Sequence, residues 1–167
     1  VVLQDVFMFS GTVADNLRLA APDLTDDRLW DILRQVGADR FVAALPGGLA
    51  APVSERGGTF SMGQKQLLSF ARALAADPQV LILDEATANI DSETEGLIQA
   101  ATARLLSGRT ALVVAHRLST IQRADQILVM HRGRIHERGT HGELLRLDGL
   151  YRRLYEMQYR LRASAET

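Results

Sequence analysis

Cysteine is absent from the 167 residues, which excludes disulfides and thiolate metal sites and fits a reducing compartment. Net charge is almost absent as well. The 19 basic and 20 acidic side chains leave -1 at pH 7, too little to draw in nucleic acid or an anionic membrane. No apolar run approaches the roughly 18 residues that cross a bilayer. No signal peptide is apparent, and the chain opens on Val1 within what reads as a strand, as a cut end does. Also missing is the phosphate-cradling loop G-x-x-x-x-G-K-[ST]. Its nearest match, Gly58 to Gly63, is followed by Gln64, and the lone lysine, Lys65, falls one place late. Internal repeats and low-complexity linkers are lacking too. What is present, 47% hydrophobic and 23% charged residues, is ordinary for a globular protein. The length suits one domain with a real core.

Val80-Leu81-Ile82-Leu83 followed by Asp84-Glu85 reads as a strand buried on both faces that delivers two carboxylates at its C-terminal end. Thr110 to Ala115 is a second buried strand, ending at His116. Val1 to Leu3 is a short strand that releases Gln4 into a loop. Ser10-Gly11-Thr12 is a turn before a short helix over Val13 to Leu19. Thr25 caps a helix from Asp26 to about Val36, with Leu29, Ile32, Leu33 and Val36 at helical spacing. A further short helix runs from Asp39 to Leu45, and Ala50 to Thr59 is a loop. Ser61 and Gln64 form an S-x-x-Q capping box for a helix to about Ala76. Ser92 and Glu95 repeat the pattern for a helix to about Leu106. Gln126 to Met130 and Ile135 onward form a hairpin, and Gly142 to Arg162 is a helical tail with Leu145, Tyr151, Leu154 and Tyr155 inward. The strand–helix alternation of the second half argues a mainly parallel sheet.

Two neighbouring carboxylates leaving a strand can divide two tasks at a magnesium-bound triphosphate. One supplies a hard oxygen near the metal, and the other orients the attacking water. An acidic turn is the plainer alternative. The Ser61 helix start has free N–H groups and a positive dipole end that suit a phosphate, and Gly63 permits close approach. A simple cap is the alternative there. Of the four histidines, His116 alone follows an apolar strand, whereas His131, His136 and His141 flank turns and read as solvated.

Taken in order, Phe60-Ser61-Met62-Gly63-Gln64, the Asp84-Glu85 strand, Asp91 after Ala88-Asn89-Ile90, and His116 resemble the nucleotide-binding domain of ABC transporters. They correspond to the signature, Walker B, D-loop and switch-histidine segments, and Gln4 fits the Q-loop. The signature departs from LSGGQ by Phe60, which keeps an apolar anchor, and by Met62, which adds bulk where glycine is usual. The resemblance implies an α/β fold, a partial P-loop NTPase (RecA-like) parallel sheet with an ABC helical subdomain. It divides the chain into a helical subdomain at about 12–76, a core at 77–141 and C-terminal helices at 142–167. It implies ATP and Mg2+ as cofactors, Asp84 and Gln4 toward the metal, and Glu85, His116 and Gln4 as catalytic. Ser61, Gly63, Gln64 and Asp91 then contact nucleotide across a head-to-tail dimer with a second nucleotide-binding domain. Thr12 to Leu17 and Val53 to Gly57 sit where exporters touch their transmembrane domain. That places the chain at the cytoplasmic face of the cell (inner) membrane, with no nucleic acid as partner. By the same resemblance the His116 strand lies between the Asp84 strand and the P-loop strand. Without the latter, Leu112 to Val114 should present an apolar, unpaired edge.

Three readings stay open on sequence. The first is the C-terminal part of an exporter ATPase domain, the second a soluble ABC ATPase, and the third a non-enzymatic remnant. The sequence upstream separates them. Since charge-assisted bonds from a P-loop carry most phosphate affinity, the 167-residue chain alone should neither bind MgATP tightly nor hydrolyse it. Titration calorimetry checks this, and micromolar binding at one site per chain would refute it.

Overall fold

The computed structural model describes residues 2, 6–54, 58–84, 92–115 and 118–165, with the side chains of 92, 93, 118, 119 and 158–165 left aside. The chain divides into two units, Val1–Val114 and Ala115–Thr167.

In the first unit, β1 (Gly11–Thr12) pairs antiparallel with β2 (Pro52–Val53). Local sequence reads these as turn and loop, because a two-residue ladder made across forty residues leaves no periodic trace. Thr12 then caps α1 (Val13–Arg18) in a full capping box with Asp15. Hydrogen bonds from the Thr12 side chain and then its backbone hold the Asp15 carboxyl below its ordinary value. Next come α2 (Asp26–Val36), capped by Thr25 and closed by left-handed Gly37, and α3 (Asp39–Ala43). The four apolar positions expected to face inward on α2 are all buried. A single 3-10 turn at Gly48–Ala50 precedes β2.

The helix α4 (Met62–Ala75) packs against α1, α2 and α5 (Ser92–Leu106). Leu67, Leu68, Phe70 and Ala71 are almost wholly enclosed. Between α4 and α5 runs β3 (Val80–Asp84), parallel and in register with β4 (Thr110–Val114). Val2 adds a third parallel contact on the far side of β3, donating to the Ile82 carbonyl at 2.8 Å and accepting from the Asp84 N–H at 2.9 Å. Arg109 braces the start of β3: it bonds the Pro78 carbonyl at 3.2 Å, the Leu105 carbonyl at 3.1 Å and the Asp77 carboxylate at 2.8 Å.

One expectation fails here. The apolar run of β3 is not buried on both faces: Leu81 and Leu83 are enclosed, but Val80 is 62% exposed and Ile82 is exposed beside it. Their register partners Thr110 and Leu112 share that open face, with Leu112 57% exposed. An apolar run reports that a strand suits two covered faces, and it does not supply the cover. Among the described residues, β4 pairs on one side only.

The second unit opens with α6 (Leu118–Gln122), then β5 (Ile127–His131) and β6 (Arg134–Gly139) in an antiparallel hairpin. Arg132 and Gly133 both adopt positive φ, 48° and 73°, the twist a two-residue hairpin turn needs. The tail is not one helix. It breaks into α7 (His141–Arg146) and α8 (Leu150–Ala165) at Asp148, whose φ is 53°. The break also changes which residues turn inward. Leu144, Val129 and Tyr151 form the core, Leu145 and Tyr155 are half-buried, and Leu154 is exposed. Nor is His141 solvated, since its Nδ1 lies 2.7 Å from the Tyr151 hydroxyl.

Glu137 anchors the start of α8, its carboxylate accepting from the Leu150 and Tyr151 N–H groups at 2.5 and 3.0 Å. Those bonds, the Tyr151 one first, with smaller help from His136 and Arg153, hold its carboxyl below the ordinary value of 4.5. A lowered carboxyl stabilises the fold above that value and loses its contribution as pH falls through the lower folded one. Gly149 makes the approach possible, because a Cβ there would sit 2.7 Å from Glu137 Cδ. Gly149→Ala should therefore destabilise this unit by about 1–3 kcal/mol. Amide protection at the α8 N-terminus, relative to the intrinsic exchange rate at each pH, should fall in that variant, and in the unaltered chain as pH drops below 4.5. The open face of β3 and β4 yields a second expectation, that the chain self-associates through it. Leu112→Lys should shift size-exclusion elution toward monomer. Concentration-independent monomer in the unaltered chain would count against it.

Candidate functional site

Ser61 holds an extended conformation, φ -63° and ψ 162°, so its hydroxyl turns back over the first turn of α4. Its Oγ accepts from the Gln64 N–H at 3.2 Å, and Gln64 Oε1 accepts from the Ser61 N–H at 3.0 Å. The capping box read from sequence is thus formed in full. The Gln64 carboxamide is committed to it. Two orphan donors of the first turn, the N–H groups of Met62 and Gly63, meet no acceptor among the described residues. They stand at the positive end of a 14-residue helix. Gly63 is buried while Ser61 and Met62 are exposed, Met62 by 54%. Behind them, Phe60 is enclosed against Phe41, the rings 6.3 Å apart and nearly perpendicular.

Asp84 is the last residue of β3 and is half-buried, and its register partner is Val114. The contacts of Val2, β3 and β4 are all parallel, so the three segments run toward the same end of the sheet. In the sequence, Gln4 follows Val2 by two residues, Glu85 follows Asp84 directly, and His116 follows Val114 by two. Gln4, Glu85, Asp91 and His116 themselves lie outside the described residues. Of the eight site residues read from sequence, the structure describes Ser61, Gly63, Gln64 and Asp84. It brings the first three together at one helix terminus and sets Asp84 at a strand end.

Two side chains that the sequence reading passed over shape the segment after Gln4. Asn16, 2% exposed, accepts the Phe9 N–H at 2.9 Å and donates to the Phe9 and Thr12 carbonyls at 2.8 and 3.0 Å. Arg72, on α4, donates from both terminal nitrogens to the Phe7 carbonyl, at 3.1 and 3.2 Å. Asn16 had a signal, a polar residue on the buried stripe of a short helix. Arg72, sixty-five positions from Phe7, had none.

The family model described as ABC transporter matches residues 1–88. A "Probable multidrug resistance ABC transporter ATP-binding/permease protein YheH" of Bacillus subtilis is 54% identical over 95% of this chain and 24% of its own length. An "ATP-dependent lipid A-core flippase" of Xanthomonas campestris is 50% identical over 95% of the chain and 27% of its own length. A solved bacterial Atm1-family ABC exporter with ATP bound superposes with a TM-score of 0.83 at 38% identity, across 94% of this chain and 27% of that one. The chain spans about a quarter of the length of these relatives. With more than half its residues under the family model and the α/β fold of an exporter's nucleotide-binding region, the chain belongs to the ABC transporter family.

Proposed function

We propose that the chain is part of an ATP-hydrolysing domain that powers export of a substrate across a membrane. The observation that carries this is the common direction of Val2, β3 and β4. In open α/β sheets the ends of such strands are where ligands bind, and here Gln4, Asp84-Glu85 and His116 stand at or just after them in sequence. The donor set fits the ligand chemistry. Asp84 is a hard oxygen at a strand terminus, and the N–H groups of Met62 and Gly63, which meet no acceptor among the described residues, suit phosphate oxygens.

Bound magnesium would neutralise charge on the transferred phosphoryl group. Asp84 would hold it, with Gln4 beside it. Glu85 takes the proton of the attacking water, His116 steadies the γ-phosphate, and Asp91 borders the nucleotide. Ser61 and the α4 N–H groups serve in trans, on a nucleotide held by a second nucleotide-binding domain in a head-to-tail dimer. The Gln64 carboxamide acts through Ser61, by holding the cap that aims those donors. A transmembrane domain is the second partner, reached through Thr12 to Leu17 and Val53 to Gly57, and the working site is the cytoplasmic face of the membrane. Relatives described as a multidrug permease and a lipid flippase favour this over a soluble ATPase. The domain division at about 12–76, 77–141 and 142–167 belongs to the same reading. So does the expectation that this chain is inactive by itself, since it carries no P-loop.

In the full-length protein, Glu85→Gln should abolish steady-state ATPase activity while leaving ATP binding intact. Near wild-type turnover would place the base elsewhere. Ser61→Ala should act twice. It removes an α4 cap, at about 1 kcal/mol of stability in denaturant titration, and it weakens the ATP-bound dimer in sedimentation. A variant with a weakened helix and an unchanged dimer would confine Ser61 to capping.

A further inference from the structure

The segment Val6–Phe9 alternates. Met8 is buried, while Phe7 and Phe9 are each 46% exposed and meet edge to face, 4.9 Å between centroids. Nothing in its own sequence fixes a stretch outside any helix or strand with two aromatics outward. The fixing comes from two helices. Asn16 of α1 holds both backbone groups of Phe9. Arg72 of α4 holds the Phe7 carbonyl with two donors and lays its guanidinium 5.8 Å from the centre of the Phe9 ring. The pair of bonds is charge-assisted and the ring contact is a cation–π interaction. Both arise from one side chain, so they break together.

Arg72 lies ten residues along α4 from Met62, about 15 Å down a single helix. The same rigid rod that presents Ser61 and the Met62 and Gly63 N–H groups at one end grips the segment following Gln4 near the other. We propose that Arg72 is a positioning residue that couples the signature helix to the Val6–Phe9 segment, so that a displacement of the α4 N-terminus moves Phe7 and Phe9. This rests on the reading of Ser61 and its neighbours as a nucleotide contact. Arginine is the residue such a link requires. It spans from a helix to the backbone of a neighbouring segment, supplies two donors to one carbonyl, and keeps its charge even where burial lowers its proton affinity, as it does here.

The test is hydrogen–deuterium exchange in the full-length protein, with Glu85→Gln as the parent so that added MgATP is not consumed. In the parent, MgATP should slow exchange at residues 62–66 and also alter it at residues 7–10. In Arg72→Met the response at 62–66 should persist, while that at 7–10 falls about tenfold. Arg72→Lys keeps the charge and can still donate to the Phe7 carbonyl from its single nitrogen, and should restore part of the response. A general loss of stability would not separate the two segments or show that rescue. Undiminished response at 7–10 in Arg72→Met overturns the coupling, as does a parent that responds at 62–66 alone. A parent silent at 62–66 overturns the nucleotide contact itself and the coupling with it, and is distinguished by that segment. Should Arg72→Met not fold, Arg72→Lys and Phe9→Leu decide. Both should weaken the response at 7–10, and parent-like behaviour in both refutes the proposal.

Discussion

Enclosure of α4 on nearly every side is the constraint on which the larger unit depends. A helix with one apolar stripe needs one partner. This one buries Gly63, Leu67, Phe70 and Ala71, and also Gln66, Leu68 and Ser69, which point in several directions around the axis, and it accordingly has α1, α2 and α5 around it. Burying side chains such as Leu67, Leu68 and Phe70 contributes about 1.5–3 kcal/mol each. The three neighbouring helices thus share one source of stability. Its position fixes what lies at both ends. The capped N-terminus faces outward, because Ser61 and Met62 are the exposed residues of that turn, and Arg72 reaches the segment leading to α1. The chemistry assigned to Ser61 and the shape of the loop after Gln4 are consequences of the same packed rod.

The sheet obeys a different logic. Its backbone bonds tie Val2, β3 and β4 into parallel alignment, and that alignment, rather than any side-chain contact, brings the strand ends together. One face is covered by the helices and the other is not. The short β1–β2 ladder and the Arg109 brace are devices of the same kind. Each fixes where a chain segment begins without burying much, and each uses groups distant in sequence.

Elements governed by local rules are legible in the sequence. Thr25, Asp26 and the spacing of Leu29, Ile32, Leu33 and Val36 define α2 by capping and periodicity, and the Ser61–Gln64 box defines the start of α4. What was not legible required distant partners or a cancelled local preference. The β1–β2 pairing joins Gly11 to Val53. The start of α8 is fixed by Glu137, on another element, which accepts its first N–H groups. Helical periodicity across Gly142 to Arg162 runs through the break between α7 and α8, so it turns Leu154 inward, where the fold exposes it, and does not single out Leu144, which the fold buries. The same division holds at the site. Ser61 and Gln64 follow from spacing and Asp84 from its strand, but Arg72 and Phe7 meet only in the fold.

Met62 shows how one substitution in a short motif separates two roles that glycines otherwise share. The signature resemblance has adjacent glycines after the serine, and the structure treats these positions differently. Position 62 is the first residue of α4, and its side chain is directed to solvent, 54% exposed. Position 63 is buried within the same turn. A side chain at the first site extends the surface of the helix terminus without entering the core, and methionine, unbranched and flexible, does so with little rotameric restriction. Bulk at position 62 is therefore compatible with the packing of α4, and any penalty for it falls on a molecule approaching the helix N-terminus.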